Sequence, residues 1–277
     1  MGTLDIFNVR RYYAVVCAIA KNEHLYINEW VSHYIKLGFD KIFIFDNDEE
    51  TSKYIGDCID KKYLPKVKII NKRGVHQDKF QHKCYQEFYN KYSESFNWCL
   101  FCDIDEFLDG VKNIKPILKA IPKKYNQVRV KWRLFGDDNL IERDVTKPVY
   151  KFFKEVKGGR LENQGKFILR GGLKDVVIVS AHFASIKERN TIVPSCLPSG
   201  KKCNDKIDIN TDYSNEKIYL NHYMTKTLRE FVNQKINRGD AVFGNRIINL
   251  DYYWGINEKT QEKLNWLIER GLIEDDK

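Results

Sequence analysis

Trp98-Cys99-Leu100-Phe101-Cys102-Asp103-Ile104-Asp105-Glu106-Phe107 is the stretch on which the reading of this chain turns. An apolar run of strand length ends in two aspartates one residue apart, with a glutamate beside them. If the strand continues through them, alternate residues share a face, and Asp103 and Asp105 point the same way. Two carboxylates that close repel each other unless a cation lies between them. Hard ions such as Mn²⁺ or Mg²⁺ are commonly held by one or two carboxylates together with substrate phosphates. Asp-x-Asp also occurs in solvated turns, so its surroundings decide. Cys99 and Cys102 form a Cys-x-x-Cys, but no second pair with zinc spacing follows, and in a strand the two face opposite sides. Seven cysteines without a regular framework fit free thiols in a reducing compartment.

Working outward, a continuous apolar run over 13–20 reads as a strand and ends at Lys21-Asn22-Glu23. Over 25–37 the residues Ile27, Trp30, Val31, Tyr34, Ile35 and Leu37 recur at helical spacing, with Gly38 in place to close the helix. A second strand over 41–45 ends at Asp46-Asn47-Asp48, and a third over 67–70 ends at Asn71-Lys72-Arg73. Residues 77–92 read as an amphipathic helix, and 98–102 as the fourth strand. This alternation implies an α/β fold, with a Rossmann-like, mostly parallel central sheet flanked by helices on both faces. Ligands of such sheets bind beyond the carboxyl ends of the strands, and all four strand ends here are polar. That convergence strengthens the Asp-x-Asp reading. Later in the chain, 128–135 and 166–179 look like strands separated by a basic, Gly-containing stretch over 149–165. Residues 186–216 are loop-rich, and helical patterns close the chain around 228–238 and 260–270.

The chain has 277 residues, 43% hydrophobic and 13% aromatic, which suits a folded domain with an ample core. There is no Gly-x-Gly-x-x-Gly and no Gly-x-x-x-x-Gly-Lys-Ser/Thr, which argues against dinucleotide redox enzymes and triphosphatases of those types. The net charge of +9 is spread along the chain with no nucleic-acid-binding signature, so the expected partners are anionic substrates or a membrane surface, and no nucleic acid. The opening residues lack a basic signal region, and the apolar runs are far short of a membrane span. The expected location is cytoplasmic, with peripheral contact at the inner face of the membrane compatible with the charge.

Four segments in order resemble a known family: Lys21-Asn22-Glu23 through Glu29-Trp30 and Leu37-Gly38-Phe39-Asp40-Lys41-Ile42 to Asp46-Asn47; Asp103-Ile104-Asp105-Glu106-Phe107; Trp132-Arg133-Leu134-Phe135-Gly136; and Asn221-His222-Tyr223-Met224-Thr225-Lys226-Thr227, continuing to Phe231, Lys235, Arg238 and Gly239. Together they resemble glycosyltransferase family 92 and related bacterial family-2-like transferases, over roughly residues 14–240. The resemblance implies a GT-A type nucleotide-diphospho-sugar transferase fold in one domain, 1–277. Its parts would be a nucleotide-sugar-binding half (about 1–110), an acceptor-binding half (about 111–240) and a C-terminal helical segment (about 241–277). It also implies an inverting hexosyl transfer that uses Mn²⁺ or Mg²⁺. The donor would be a nucleotide sugar, UDP-linked and by family analogy galactose; the acceptor would be a surface glycan or lipid-linked glycan.

In that scheme Asp105 is the first choice for metal contact, and Asp103 reaches the metal or the donor ribose. His222 completes the metal site, with His182 as the competing histidine; imidazole is a common ligand for such ions. Glu106 faces the other side of the strand. Asp46 resembles the nucleoside-contacting residue, although Asp46-Asn47-Asp48-Glu49-Glu50 departs from the Asp-Asn-x-Ser-x-Asp of many relatives. Lys21, Asn22 and Glu23 meet the nucleotide, with helix capping as the alternative for the latter two. Lys72 and Arg73 meet the diphosphate or form an exposed basic turn, and Lys226, Lys235 and Arg238 lie near the phosphates or on a closing element, with a solvated helix face as the alternative. An inverting transfer needs a base for the acceptor hydroxyl, for which Asp138 narrowly leads Asp137. Trp132 and Phe135, with His182, would form an acceptor surface, with packing in the core as the alternative for the two aromatics.

Two other enzyme classes and one binding class compete. Haloacid-dehalogenase-like phosphatases also carry a strand followed by Asp-x-Asp, but near the chain start and followed by Thr or Ser. A sugar nucleotidyltransferase would need a Gly-rich loop after the first strand. A degenerate transferase retaining only nucleotide-sugar binding is set against the intact Asp103, Asp105 and His222.

Overall fold

The computed structural model describes residues 10–157, 164–188, 191–203, 213–236 and 249–274. In chain order β1 (Tyr12–Ala20), α1 (Ile27–Lys36), β2 (Lys41–Asp46), β3 (Val67–Asn71), α2 (Phe80–Tyr92) and β4 (Phe96–Phe101) alternate as the periodicity demands. There follow β5 (Glu106–Asp109), α3 (Ile114–Ala120), β6 (Gln127–Phe135), β7 (Glu155–Val156) and β8 (Gly165–Arg170). Short strands come next: β9 (Val176–Val177), β10 (Ser185–Ile186), β11 (Thr191–Ile192), β12 (Ser195–Cys196) and β13 (Lys202–Cys203). Last are β14 (Tyr219–His222), α4 (Leu228–Phe231), α5 (Leu250–Trp254) and α6 (Gln261–Ile268).

Strands β3, β2, β1 and β4 lie side by side and parallel. The apolar runs of β1, β2 and β4 follow from burial on both faces, whereas β3, at the end of the sheet, is only partly buried. Ala14, Val16, Ala18 and Ala20 of β1 pack with Ile27, Trp30, Val31 and Tyr34 of α1 and with Ile114 and Leu118 of α3. Val15, Cys17 and Ile19 point the other way, onto Phe80, Cys84, Tyr85 and Phe88 of α2. Helices therefore cover both faces, and the alternation of β1 divides one core from the other. The cysteines are free thiols, Cys17, Cys84, Cys99 and Cys102 among the buried ones.

Beyond β4 the sheet becomes mixed. β8 runs antiparallel between β4 and β6, which restores the direction of the first four strands in β6. The amino half of β6 pairs with β8 and β12, and its carboxyl half with β14 and β7. β14 lies between β6 and β5, with His222 opposite Glu106 on one side and Leu134 on the other. At the crossover the backbones come close: a Cβ on Gly165 would lie 2.0 Å from the Val130 carbonyl oxygen, so glycine is required there.

Two expectations need correction. The strand that was to carry both aspartates stops at Phe101, and Asp103 to Glu106 form a turn in which the Glu106 N–H donates to the Asp103 carbonyl at 3.2 Å. The helix expected over 228–238 is α4 followed by a π-helical turn, Val232–Ile236. No helix among the described residues is long and apolar enough to cross a membrane.

Candidate active site at the carboxyl edge of the sheet

The Asp103–Glu106 turn is held from both faces of the sheet. From α1, the Trp30 indole N–H donates to the carbonyls of Asp103 and Glu106, both at 3.0 Å, and Tyr34 Oη donates to the Glu106 carbonyl at 3.0 Å. The i, i+4 spacing of Trp30 and Tyr34 puts both on the helix face that meets the turn. From α2, Tyr85 Oη donates to the Cys102 carbonyl at 3.1 Å, and Gln81 Nε2 donates to Asp103 Oδ1. Glu106 folds back so that its Oε2 accepts from the Asp103 N–H at 2.9 Å. It therefore sits beside Asp103, where an extended strand would have sent it to the opposite face.

Each aspartate has a lysine. Lys166 of β8 reaches Asp103 Oδ2 at 2.8 Å and Glu106 Oε1 at 3.8 Å. Lys235, on the π-helical turn, reaches Asp105 Oδ2 at 3.0 Å. His222 Nε2 lies 3.4 Å from Asp105 Oδ1, and its buried Nδ1 has no hydrogen-bond partner. The Tyr223 N–H donates to the Asp105 carbonyl at 2.9 Å, which locks β14 to the turn. Burial alone would raise both aspartates. Lys166 offsets it at Asp103 and holds that carboxyl below its ordinary range; Lys235 and His222 hold Asp105 well below it. Glu106 goes the other way: burial pushes it well above the usual carboxylate range despite Lys166. The Asp103 side chain keeps 32% of its surface exposed and Asp105 only 4%, so the carboxylate open to a ligand is that of Asp103.

Trp132 stands behind this cluster, its ring 4.5 Å from that of His222 and 5.3 Å from that of His182, with the Lys166 ammonium 5.9 Å over it. His182 Nδ1 meets the Gly165 carbonyl at 2.8 Å, and burial next to Lys166 lowers its pKa to about 4. Lys226 is buried, donates to Gln234 Oε1 at 3.2 Å and lies 4.2 Å over the Tyr26 ring. Burial lowers its pKa, against the pull of Glu23 and Asp105. A capping box, Thr227 with Glu230, starts α4, and Arg143 grips the same Glu230 at 2.9 Å. That anchor sets the π-helical turn, a local form often found at functional sites, which delivers Gln234 and Lys235.

A second cluster lies at the ends of β1, β2 and β3. Asn22, at φ +59°, donates its N–H to Asp48 Oδ1 at 2.6 Å, and its carbonyl accepts from Gln234 Nε2 at 3.2 Å, which joins the two clusters. Glu23 is buried, and its carbonyl opens α1 by accepting from Tyr26 and Ile27 at 3.0 Å. Asp46 is buried with Oδ2 unpartnered, and burial beside Asp48 raises its pKa. Lys21 pairs with Glu49 at 3.3 Å. Arg73 hydrogen-bonds the carbonyls of Glu49, Glu50 and Ser52 and ties down the 49–52 loop.

Asp137, Asp138 and Phe135 each have partners of their own, while Trp132 and His182 stand against the His222 and Lys166 side of the cluster. Asp137 is buried against Lys263 at 2.5 Å and accepts from Tyr253 Oη, which anchors α5 and α6. Asp138 is exposed, at φ +49°, with Lys154 at 2.7 Å. Phe135 packs on Tyr223 at 4.8 Å between ring centres. Arg238 lies outside the described residues.

For a divalent ion, the expected set is Asp103, Asp105 and His222. Among the described residues no group of three or more His, Cys, Asp or Glu side chains is arranged to hold a metal. All four oxygens of the two aspartates face donors: Gln81 and Lys166 at Asp103, His222 and Lys235 at Asp105. The donor set in this form does not fit a divalent cation. Sequence reading passed over Lys166, Gln81 and Tyr85. The usable signal was a lone lysine in an otherwise apolar strand, Gly165-Lys166-Phe167-Ile168-Leu169. A charge buried on a strand needs an opposite charge nearby.

No protein-family model matches the chain, and no curated protein matches it. Among solved structures it is similar to the mannosyltransferase PcManGT from Pyrobaculum calidifontis in complex with GDP-Man and Mn²⁺, at 10% identity and a TM-score of 0.32. That overlap covers 46% of this chain and 37% of the other, so the chain spans well under half the length of that protein. It assigns no residue of the site.

Proposed function

We propose that the chain is a glycosyltransferase that moves a hexose, with inversion, from a nucleotide-diphosphate sugar to a hydroxyl of a glycan. The carrying observation is the convergence of four strand ends on one edge, where the Asp103–Glu106 turn is ringed by His222, Lys166, Lys235 and Lys226. Parallel sheets bind ligands at that edge, and a nucleoside diphosphate is a good leaving group only where its developing charge is stabilised. In this reading, which keeps the resemblance to family 92, Lys21, Asn22, Glu23 and Asp46 form the nucleoside side and Lys226 and Lys235 the phosphate side. Asp103 meets the donor. Asp138 is the base in preference to Asp137, whose carboxylate is engaged by Lys263 and Tyr253. Trp132, Phe135 and His182 belong to the acceptor side. The donor to test first is UDP-galactose. The acceptor is a surface glycan, lipid-linked, approached at a membrane surface that suits the net charge of +9. No step is assigned to a metal, because the donor set does not fit one.

The test is a panel of nucleotide sugars, each with EDTA and with Mn²⁺, read by melting temperature and by slow hydrolysis of the donor. One donor should stabilise the protein and be hydrolysed, and Asp103→Asn should weaken both. If no nucleotide sugar does either, the reading is wrong. The engaged carboxylates also favour a second reading, a nucleotide-sugar-binding module without catalysis. Stabilisation without hydrolysis or transfer would select it.

A further inference from the structure

We propose that the Asp103–Asp105 pair is neutralised from within, by Lys166 and Lys235, and takes no divalent cation, so that a nucleoside diphosphate binds here on lysine ammonium groups alone. The diphosphate half of this inference rests on the proposed function; the metal half does not. Two carboxylates attract a divalent ion because their charges are unbalanced. Here two ammonium groups balance them at 2.8 and 3.0 Å. An incoming cation would have to displace both lysines and then face their charge across a few ångströms.

Lys166 cannot leave easily. Its side chain is 1% exposed, it lies in a paired strand, and the neighbouring Glu106 is the only other acid that it reaches among the described residues. Stripped of Asp103 it would be a buried charge with its next acid, Glu106, no nearer than 3.8 Å, a costly state. Lys235 differs. Its side chain is 14% exposed and it sits on the π-helical turn, so it is the ammonium that phosphate oxygens can draw away. His222, whose Nε2 already faces Asp105, then remains as that carboxylate's donor. The lysines thus have separate duties: Lys166 fixes Asp103, and Lys235 is shared between Asp105 and the ligand.

The experiment titrates the full chain with Mn²⁺ alone and follows the paramagnetic resonance signal of the free ion. Wild type should leave the signal undiminished. Lys235→Met uncovers Asp105 and should gain Mn²⁺ affinity of about tenfold or more, equivalent to about 1.4 kcal/mol; Asp105→Asn added to it should abolish that gain. Uptake of Mn²⁺ by wild type that Asp105→Asn removes would overturn the proposal. So would failure of Lys235→Met to bind while circular dichroism reports an intact fold, since the lysine would then not be what excludes the ion. In a separate arm, UDP and GDP should raise the melting temperature equally in EDTA and in Mn²⁺, and less so in Lys235→Met. A rise that requires Mn²⁺ also overturns the proposal. No rise with either nucleotide in any condition refutes the diphosphate half together with the donor reading, while the Mn²⁺ titration still decides the metal half.

Discussion

Replacing Lys263 by methionine should cost far more stability than replacing a surface lysine ordinarily does. Its side chain is 0% exposed and its ammonium meets Asp137 at 2.5 Å, Asn139 Oδ1 at 3.0 Å and the Glu258 carbonyl at 2.8 Å. Methionine preserves the volume but leaves the buried Asp137 carboxylate with, among the described residues, Tyr253 Oη and the Asn139 N–H as its remaining donors. Removing one partner of a buried pair costs about 3–5 kcal/mol. For a chain of this size that corresponds to roughly 6–10 °C in melting temperature, at about 2 °C per kcal/mol. Asp137→Asn leaves the Lys263 ammonium buried with the neutral acceptors Asn139 Oδ1 and the Glu258 carbonyl, and should cost a comparable amount, about 3–5 kcal/mol. The double variant removes both charges and should fall short of the sum by about 1–3 kcal/mol, the coupling of the pair. Urea unfolding followed by circular dichroism measures all three. Losses below about 1 kcal/mol in Lys263→Met would refute the reasoning, because a buried charge cannot be orphaned that cheaply. The same variants bear on chemistry: folded Asp137→Asn should retain turnover if its carboxylate serves only to dock α5 and α6.

Acid should destabilise the protein through His182. Its folded pKa of about 4 lies below the ordinary 6.5, so between those values the unfolded chain holds the extra proton; this contribution is complete above pH 6.5 and lost towards pH 4. The gap amounts to roughly 3 kcal/mol, and His182→Asn should flatten the stability curve across that window. Gly165→Ala drives a Cβ towards the Val130 carbonyl at 2.0 Å and should cost about 1–3 kcal/mol of unfolding free energy, read from a lowered denaturant midpoint, with Lys166 displaced from Asp103. Trp30→Phe removes the donor shared by the Asp103 and Glu106 carbonyls and should cost about 1–3 kcal/mol. Nucleotide stabilisation should weaken with it, since Trp30 positions the turn.

Periodicity was enough for the first half of the fold, because β1, β2 and β4 carry apolar runs, α1 and α2 repeat apolar residues at helical spacing, and polar turns punctuate them. It failed at the aspartates for a local reason: Glu106 reaches back to the Asp103 N–H and makes a turn where alternation alone implies an extended strand. The short strands from β9 to β13 carry too few residues to show any period. The polar ends and His222 were legible as chemistry. Their neutralising partners were not, because Lys166 and Lys235 come from strand pairings and turns far along the chain that no local pattern encodes. Asp137 reads as an open turn acid next to Asp138, and only the docking of α5 and α6 reveals that it is enclosed.

The lysine that neutralises Asp103 lies 63 residues further on, and the one that neutralises Asp105 lies 130 residues further on. On the ribosome the four parallel strands β1 to β4 and the two acids therefore emerge before either lysine. The first is neutralised once β8 is made, the second only when the π-helical turn appears. Contacts so distant close late and slowly. A nascent chain paused between those points holds Asp105 beside Asp103 with one counter-charge for two, which makes that interval the one in which premature release or a chaperone's grip has most effect.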